Sequence, residues 1–337
     1  MKSRLTFLLA AVGALLISVT ALFTPGCTCH PEARHSSPTK IEPMTYQGWT
    51  NAWRLANQEA EVIVVPEIGR VMSFRFLQGG NVFWEDRSLA GQRGNWNGKE
   101  WINFGGDKTW PAPEANWGQY TGRKEWMPPP AFDSLPVEGR VEGQQVILTS
   151  PVDPYYGVRT VRRISLFGSS LRIETRYERV SGEPSKIGIW VISQFKNPVA
   201  VYVPVLTNSI FTNGYFQFGA EPWPQLQRRD SVIEITRDRQ AAHKMGGDAR
   251  QLLWIGAKEM CLVSVAGDRG GEYPDRGASA EVYTNPDPKE YVELEMLGPL
   301  ALLRGGETLT LTSHYQLLRR TQKEPADELP RFGFDAR

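Results

Sequence analysis

The chain has 337 residues, with 38 lysines and arginines against 37 aspartates and glutamates, and three cysteines. A charge so near zero argues against nucleic acid and anionic membrane surfaces as main partners and points to a neutral ligand or a local site. Three cysteines make no disulfide framework, and a chain this long needs none because it buries most of its surface in one core.

At the start, Lys2 and Arg4 precede a largely apolar, uncharged run over 5–23, the pattern of an export signal. The run ends in Thr24-Pro25-Gly26-Cys27, where Gly26-Cys27 resembles the lipobox of bacterial lipoproteins, with Cys27 as the lipidated residue. The alternative is an uncleaved anchor, since about 19 such residues nearly span a bilayer. Both place the rest of the chain outside the cytoplasm, in the cell envelope, touching membrane only through this terminus. The organisation expected is a signal over 1–26, a polar tether over 27–44, one domain over 45–320 and a tail over 321–337. Cys29, His30 and His35 fall in the tether at spacings that match no tetrahedral zinc pattern, so no metal or cofactor is expected.

From Glu61 the pattern is β. Residues 62–65 are apolar and β-branched, and after the turn at 66–69 alternation places Met72, Phe74 and Phe76 on one side and Ser73 and Arg75 on the other. A turn at 78–81 leads to a strand at 82–84. Strands follow at 145–148, 158–166 and 171–180, the last with Leu171, Ile173, Thr175 and Tyr177 on one face and Arg172, Glu174, Arg176 and Glu178 on the other. That one-sided alternation belongs to an antiparallel sheet with one wet face. Later strands are expected at 187–195, 199–206, 231–235, 252–255, 261–265, 280–284, 291–296 and 308–318, with a short helix at 240–245. With no composition break and no tandem repeat, the fold expected is one large all-β antiparallel sandwich with few short helices.

The stretch 103–117, NFGGDKTWPAPEANW, has two adjacent glycines, a charged pair, two prolines and two tryptophans, a mixture unsuited to a helix or the middle of a sheet. It reads as an ordered loop within a long connection over 86–133; a second long connection covers 214–227. Such loops are often functional. Trp96, Trp101, Trp110, Trp117 and Trp126 all fall in the first. Either the loop packs its own core over the sheet, or indole faces stack on pyranose C–H patches while Asn103, Asp107, Lys108 and Arg123 bond hydroxyls.

Three segments carry a family resemblance. VIVVPEIGRVMSFRF (62–76) with GGNVFWED (79–86) resembles the opening meander of galactose mutarotase-like proteins; NFGGDKTWPAPE resembles an uncharacterised bacterial branch of that superfamily; and EYPDRGASAEVYTN, YVELEMLGPLALL and RGGETLTLTSHYQLL, within 272–318, resemble its terminal strands. The resemblance implies a β-supersandwich, a carbohydrate ligand and an open cleft on the concave sheet. Aldose mutarotases carry a histidine before a Gly-Gly pair, a second on a central strand and a glutamate base on a late strand. Here Phe104 precedes Gly105-Gly106, the segment 189–195 has no histidine, and Glu295 is the counterpart of the glutamate. Mutarotation needs a base for the C1 hydroxyl and an acid for the ring oxygen, so the same chemistry would need another acid.

Alternation puts Glu293 and Glu295 on one face, lining the cleft or facing water. Asp107 and Lys108 form either a site pair or a loop salt bridge. His314 alternates with Thr312 and Gln316, opposite Leu311, Tyr315 and Leu317, and either reaches the cleft or is a structural histidine; His243 is a weaker candidate. The catalytic candidates are Glu295, Asp107 and Lys108. Substrate contacts are expected from Asn103, Trp110, Trp117, Trp101, Arg75, Arg159, His314 and Glu281, with Tyr273 and Asp275 at the rim. No nucleotide loop, nucleophile elbow, zinc helix signature or calcium loop is present. The expected function is an exported carbohydrate-binding protein, with epimerase-type activity through Glu295 left open. The alternative is a non-catalytic envelope protein that holds a polysaccharide or protein through its tryptophan-rich loop.

Overall fold

The computed structural model describes residues 38–266 and 270–334. The expected signal, the Cys27 lipid site and most of the tether lie outside the described residues. Two antiparallel sheets carry the fold, as the alternating segments require. The first runs in the order Lys40–Tyr46, Trp49–Ala56, Ala60–Val65, Arg70–Phe76, Asp107–Ala112, Ser185–Lys196, Tyr291–Leu297, Ala280–Thr284, His243–Gly247, Phe216–Gln217, with Ala301–Leu303 beside Ser185–Lys196. The second runs Leu226–Arg229, Val232–Ile235, Ala200–Pro204, Gln251–Ile255, Glu259–Val265, Thr308–Arg319, Ser170–Arg179, Val158–Phe167, Gln145–Thr149, Glu138–Glu142.

The strand Ser170–Arg179 behaves as its sequence dictates. Leu171, Ile173, Thr175 and Tyr177 are buried, and the outward charges pair, Arg172 with Glu174 at 2.7 Å and Arg159 with Glu178 at 2.7 Å. The strand Ser185–Lys196 is buried along almost its whole length, because side chains cover both of its faces.

Several expectations need correction. The stretch after Phe104 is not a loop: Asp107–Ala112 is a strand lying between Arg70–Phe76 and Ser185–Lys196. Two features make this compatible with its composition. Pairing with the Arg70–Phe76 side is confined to Val71 opposite Asp107. The Gln194 N–H bonds Gly106 O at 3.0 Å, so alternation turns the Pro111 nitrogen away from its paired neighbour and its missing N–H breaks no ladder bond. The paired glycines are required by backbone packing. Gly105 and Gly106 have φ of 92° and 71°, and a Cβ on them would lie 2.2 Å from Trp84 O and 2.5 Å from Val71 O.

A bulge at Met72 breaks the alternation read there: Ile63 faces Ser73 while Val64 faces Val71. Phe74 therefore enters the main core, and Met72 packs with Trp49, Ile63 and Phe104 in a separate cluster. Residues 82–84 form isolated bridges, not a strand. The stretch read as a short helix holds the strand His243–Gly247. The tether ends earlier than expected, since the first strand begins at Lys40. The tail is packed: the 3₁₀ segment Pro325–Phe332 seats Leu329 against Tyr202, Leu253 and Met260.

The sheets are joined through the core by a buried polar knot. Asp107 accepts hydrogen bonds from Arg162, from Ser193 Oγ at 2.7 Å and from Tyr315 OH at 2.6 Å, drawing on four strands and both sheets. Burial and the neighbouring Asp107 push the Tyr315 hydroxyl far above its ordinary range. Beside it, Thr109 and Tyr177 share a 2.7 Å hydrogen bond, and Tyr177 OH donates to Trp110 O at 2.7 Å. Asp107→Asn strips Arg162 of its buried counter-ion and is expected to cost about 3–5 kcal/mol. Tyr315→Phe, which leaves that pair intact, is expected to cost about 1.5–3 kcal/mol. Urea unfolding of both variants checks the order; equal losses would show that the ion pair is not the dominant member of the knot.

Candidate functional site

The site follows from the alternation along Ser185–Lys196. Ser193 and Phe195 point into the core between the sheets, where Ser193 meets Asp107 and Phe195 meets Phe83. Trp190, Ile192 and Gln194 therefore point to the opposite face of the first sheet. Register extends that face sideways. Lys108 and Glu295 both lie opposite Ile192, one on each side, and Glu293 lies opposite Gln194. Glu281 is paired with Glu295, Tyr283 with Glu293, and Lys244 with Tyr283.

Two charge clusters result. In the first, Lys108 Nζ lies 3.5 Å from Glu293 Oε1, which also accepts a 2.7 Å hydrogen bond from Gln194 Nε2. The same ammonium sits over Trp110 at 4.6 Å and Trp101 at 5.3 Å. In the second, Lys244 Nζ bridges Glu281 Oε2 at 2.7 Å and Glu295 Oε2 at 2.9 Å, and Trp190 Nε1 donates to the same Glu295 oxygen at 2.7 Å. Lys244 also stands 4.6 Å over Trp190. Glu281, Glu295 and Lys108 are buried, while the Lys244 side chain is 20% exposed and that of Glu293 12%, so these two mark the way in.

Desolvation sets the proton affinities. Burial lowers Lys108 to about 8 against the pull of Glu293. Burial raises Glu281 well above the carboxylate range despite Lys244, with Glu295 adding to the rise. Glu293 is raised in the same way, with Lys108 opposing. For Lys244 burial works against the ammonium, but Glu295 and Glu281 outweigh it and hold the proton. The face thus combines two carboxyl groups whose proton affinity burial raises, an amine whose proton affinity burial lowers to about 8, and a glutamate fixed by two donors. Glu295 Oε1, Gln194 Oε1 and Lys108 Nζ are buried and make no hydrogen bond among the described residues, so two acceptors and a donor keep bonding capacity that the protein does not use. The described residues contain no group of three histidines, cysteines or carboxylates arranged to hold a metal ion.

Of the residues singled out in the sequence, Glu295, Lys108, Glu281, Trp101 and Trp110 come together here. Asp107 does not, because it is adjacent to Lys108 on a strand and so faces the core. Trp117 lies behind the face, buried against Trp110 at 5.3 Å and donating to Pro111 O at 2.8 Å. Trp110 is also buried, with Nε1 on Asp133, so neither ring forms an exposed platform; Trp126 is 48% exposed. Asn103 is buried, accepting from Gly105 N at 3.2 Å in the turn and hydrogen-bonding Tyr291. Arg75 is on the first sheet but bonds Glu61 at 2.9 Å. Arg159 and His314 are on the second sheet, pointing outward, the one paired with Glu178 and the other facing Arg172. His243 stacks on Trp223 at 5.1 Å and bonds Asp238 at 3.0 Å. The residues missed are Lys244, hidden by the helical reading, and Trp190 and Gln194. Gln194 left a signal: an amide in an otherwise apolar strand must have a partner.

No protein-family model matches the sequence, and no curated protein sequence matches it. Solved structures do match in fold. A candidate aldose 1-epimerase from Escherichia coli K12 superimposes with a TM-score of 0.55 at 11% identity, over 83% of this chain and 100% of that one. Galactose mutarotase-like proteins from Clostridium acetobutylicum and Lactobacillus casei each give 0.54, at 9% and 8% identity, over 84% and 79% of this chain and 99% of theirs. The protein therefore has the galactose mutarotase-like sandwich fold.

The unfolded chain holds the Lys108 proton up to the ordinary lysine value of 10.5, whereas the folded site releases it near 8. Between those values the unfolded state binds more protons, so this group makes stability rise with pH, by on the order of 3 kcal/mol across the window. Lys108→Met should flatten that rise relative to the parent in denaturant titrations from pH 8 to 10.5. An unchanged slope would rule out the depressed amine.

Proposed function

We propose that this is an exported, lipid-anchored protein that binds a carbohydrate on the face carrying Lys108, Glu293, Glu295, Lys244 and Glu281, and interconverts sugar anomers there. The observation that carries the reading is the placement of Glu295 and Lys108 on either side of Ile192, in register. Two strand spacings separate their backbones by roughly 10 Å, with the buried Ile192 between them. Glu295, held by Lys244 and Trp190 through one oxygen, offers the other as base for the C1 hydroxyl. Lys108, with its proton affinity near 8, is the acid for the ring oxygen. Proton removal at the C1 hydroxyl and proton delivery to the ring oxygen break the C1–ring-oxygen bond, giving the open-chain aldehyde; closure on the other carbonyl face returns both protons. Trp101 and the ring of Trp190 supply the apolar walls. The mutarotase-like fold supports the reading, as do Lys2, Arg4, the apolar run and Gly26-Cys27 for export and lipid attachment.

Glu295→Gln is isosteric and should slow anomer exchange, followed by NMR on a panel of aldoses, by about 10²–10⁴-fold. It also removes a buried charged partner of Lys244, which keeps Glu281, and is expected to cost about 1.5–3 kcal/mol of stability, so exchange is compared where circular dichroism shows the variant folded. Unchanged exchange in that variant excludes Glu295 as base. A glycan array and calorimetry without any sugar binding would remove the carbohydrate reading altogether.

A further inference from the structure

A cleft of about 480 Å³ opens on the same sheet face, between its first four strands and the segment 79–87. Its charge is unbalanced. Arg54, Arg75, Arg87 and Lys196 line it against two carboxylates, Glu61 and Glu85. Both carboxylates are already engaged. Glu61 is gripped by Arg54 at 2.5 Å and Arg75 at 2.8 Å, Arg54 is shared with Glu42 outside the cleft at 2.8 Å, and Glu85 accepts from Tyr46 OH at 2.6 Å and Arg87 at 3.2 Å. Glu61 thereby fixes two guanidinium groups at the cleft wall, with side chains 29% and 35% exposed. The Lys196 ammonium has no hydrogen bond or ion pair among the described residues, and its half-burial lowers its proton affinity, with Glu85 and Glu259 only partly opposing. A half-buried ammonium without a partner, beside pre-oriented arginine forks, is a place where an anion regains what desolvation removed.

Position gives the anion its class. Lys196 is two residues beyond Gln194 on one strand, so it shares the face of the Lys108–Glu293 cluster and lies roughly 6.5 Å further along it, about the width of a sugar ring. We propose that this cleft is an anion subsite that selects a saccharide bearing a negatively charged substituent, a carboxylate or phosphate, with Lys196 as its principal contact. The proposal rests on the carbohydrate reading of the neighbouring cluster and specifies the substrate class.

Calorimetry on the purified chain with matched sets of glucose, galactose and mannose, their uronates and their 6-phosphates tests it. An anionic member should bind about tenfold or more tighter than its neutral parent, a difference of ~1.4 kcal/mol that shrinks as salt is added. Lys196→Met should bring the charged and neutral members together while leaving the neutral affinity and the thermal midpoint unchanged. Whether uronates or phosphates gain most identifies the source of the charge. Neutral sugars that bind without any anionic advantage, or an advantage that survives Lys196→Met, overturn the subsite and leave the sugar-binding face standing. Failure of every member to bind overturns both.

Discussion

The alternation of one strand, Asp107–Ala112, underlies both the stability and the chemistry of this protein. Successive side chains on a strand point to opposite faces, so Asp107 and Lys108 serve different ends although they are covalent neighbours. Asp107 turns inward to meet Arg162 and Tyr315 of the other sheet. Lys108 turns outward to Glu293 and two indoles. The buried aspartate fixes the strand's position, and with it the depth at which the lysine sits. Leaving that aspartate without its cation would expose the full desolvation cost of a charge in the core, which is why the knot is closed on all sides.

On the outward face the governing quantity is desolvation. Two lysines and three glutamates in water would each hold ordinary proton affinities. Packed against Trp101, Trp110 and Trp190 they interact through a low-dielectric medium, and their proton affinities diverge: burial raises that of Glu281 and lowers that of Lys108, while two carboxylates hold Lys244 as a cation. Divergent affinities in close range are what proton transfer in both directions requires. The rigid support comes from ladder hydrogen bonds on three neighbouring strands, so the spacing between Lys108 and Glu295 is a property of the sheet, not of a loop.

Much of the architecture is legible from the chain. Apolar alternation located thirteen or so strands because a sheet with one wet face imposes a period of two on composition. The exceptions have physical causes. A bulge at Met72 shifts the phase of its strand by one residue. The strand Asp107–Ala112 carries proline and sits beside paired glycines, features that ordinarily mark loops, and is tolerated only because the neighbour on the proline's free side departs after a single pairing. The strand His243–Gly247 is short and glycine-ended, so propensity said little about it.

For the candidate site, sequence alone determined that Glu293 and Glu295 share a face and that His314 and Tyr315 do not. Those are consequences of local periodicity. Which faces meet was decided by tertiary structure: register between strands far apart in sequence set Lys244 against Glu281 and Glu295, sent Asp107 into the core, and left His314 and Arg159 on the far side of the other sheet. Period-two geometry says which side of a strand a residue occupies, but hydrogen-bond pairing between distant segments says what stands opposite it.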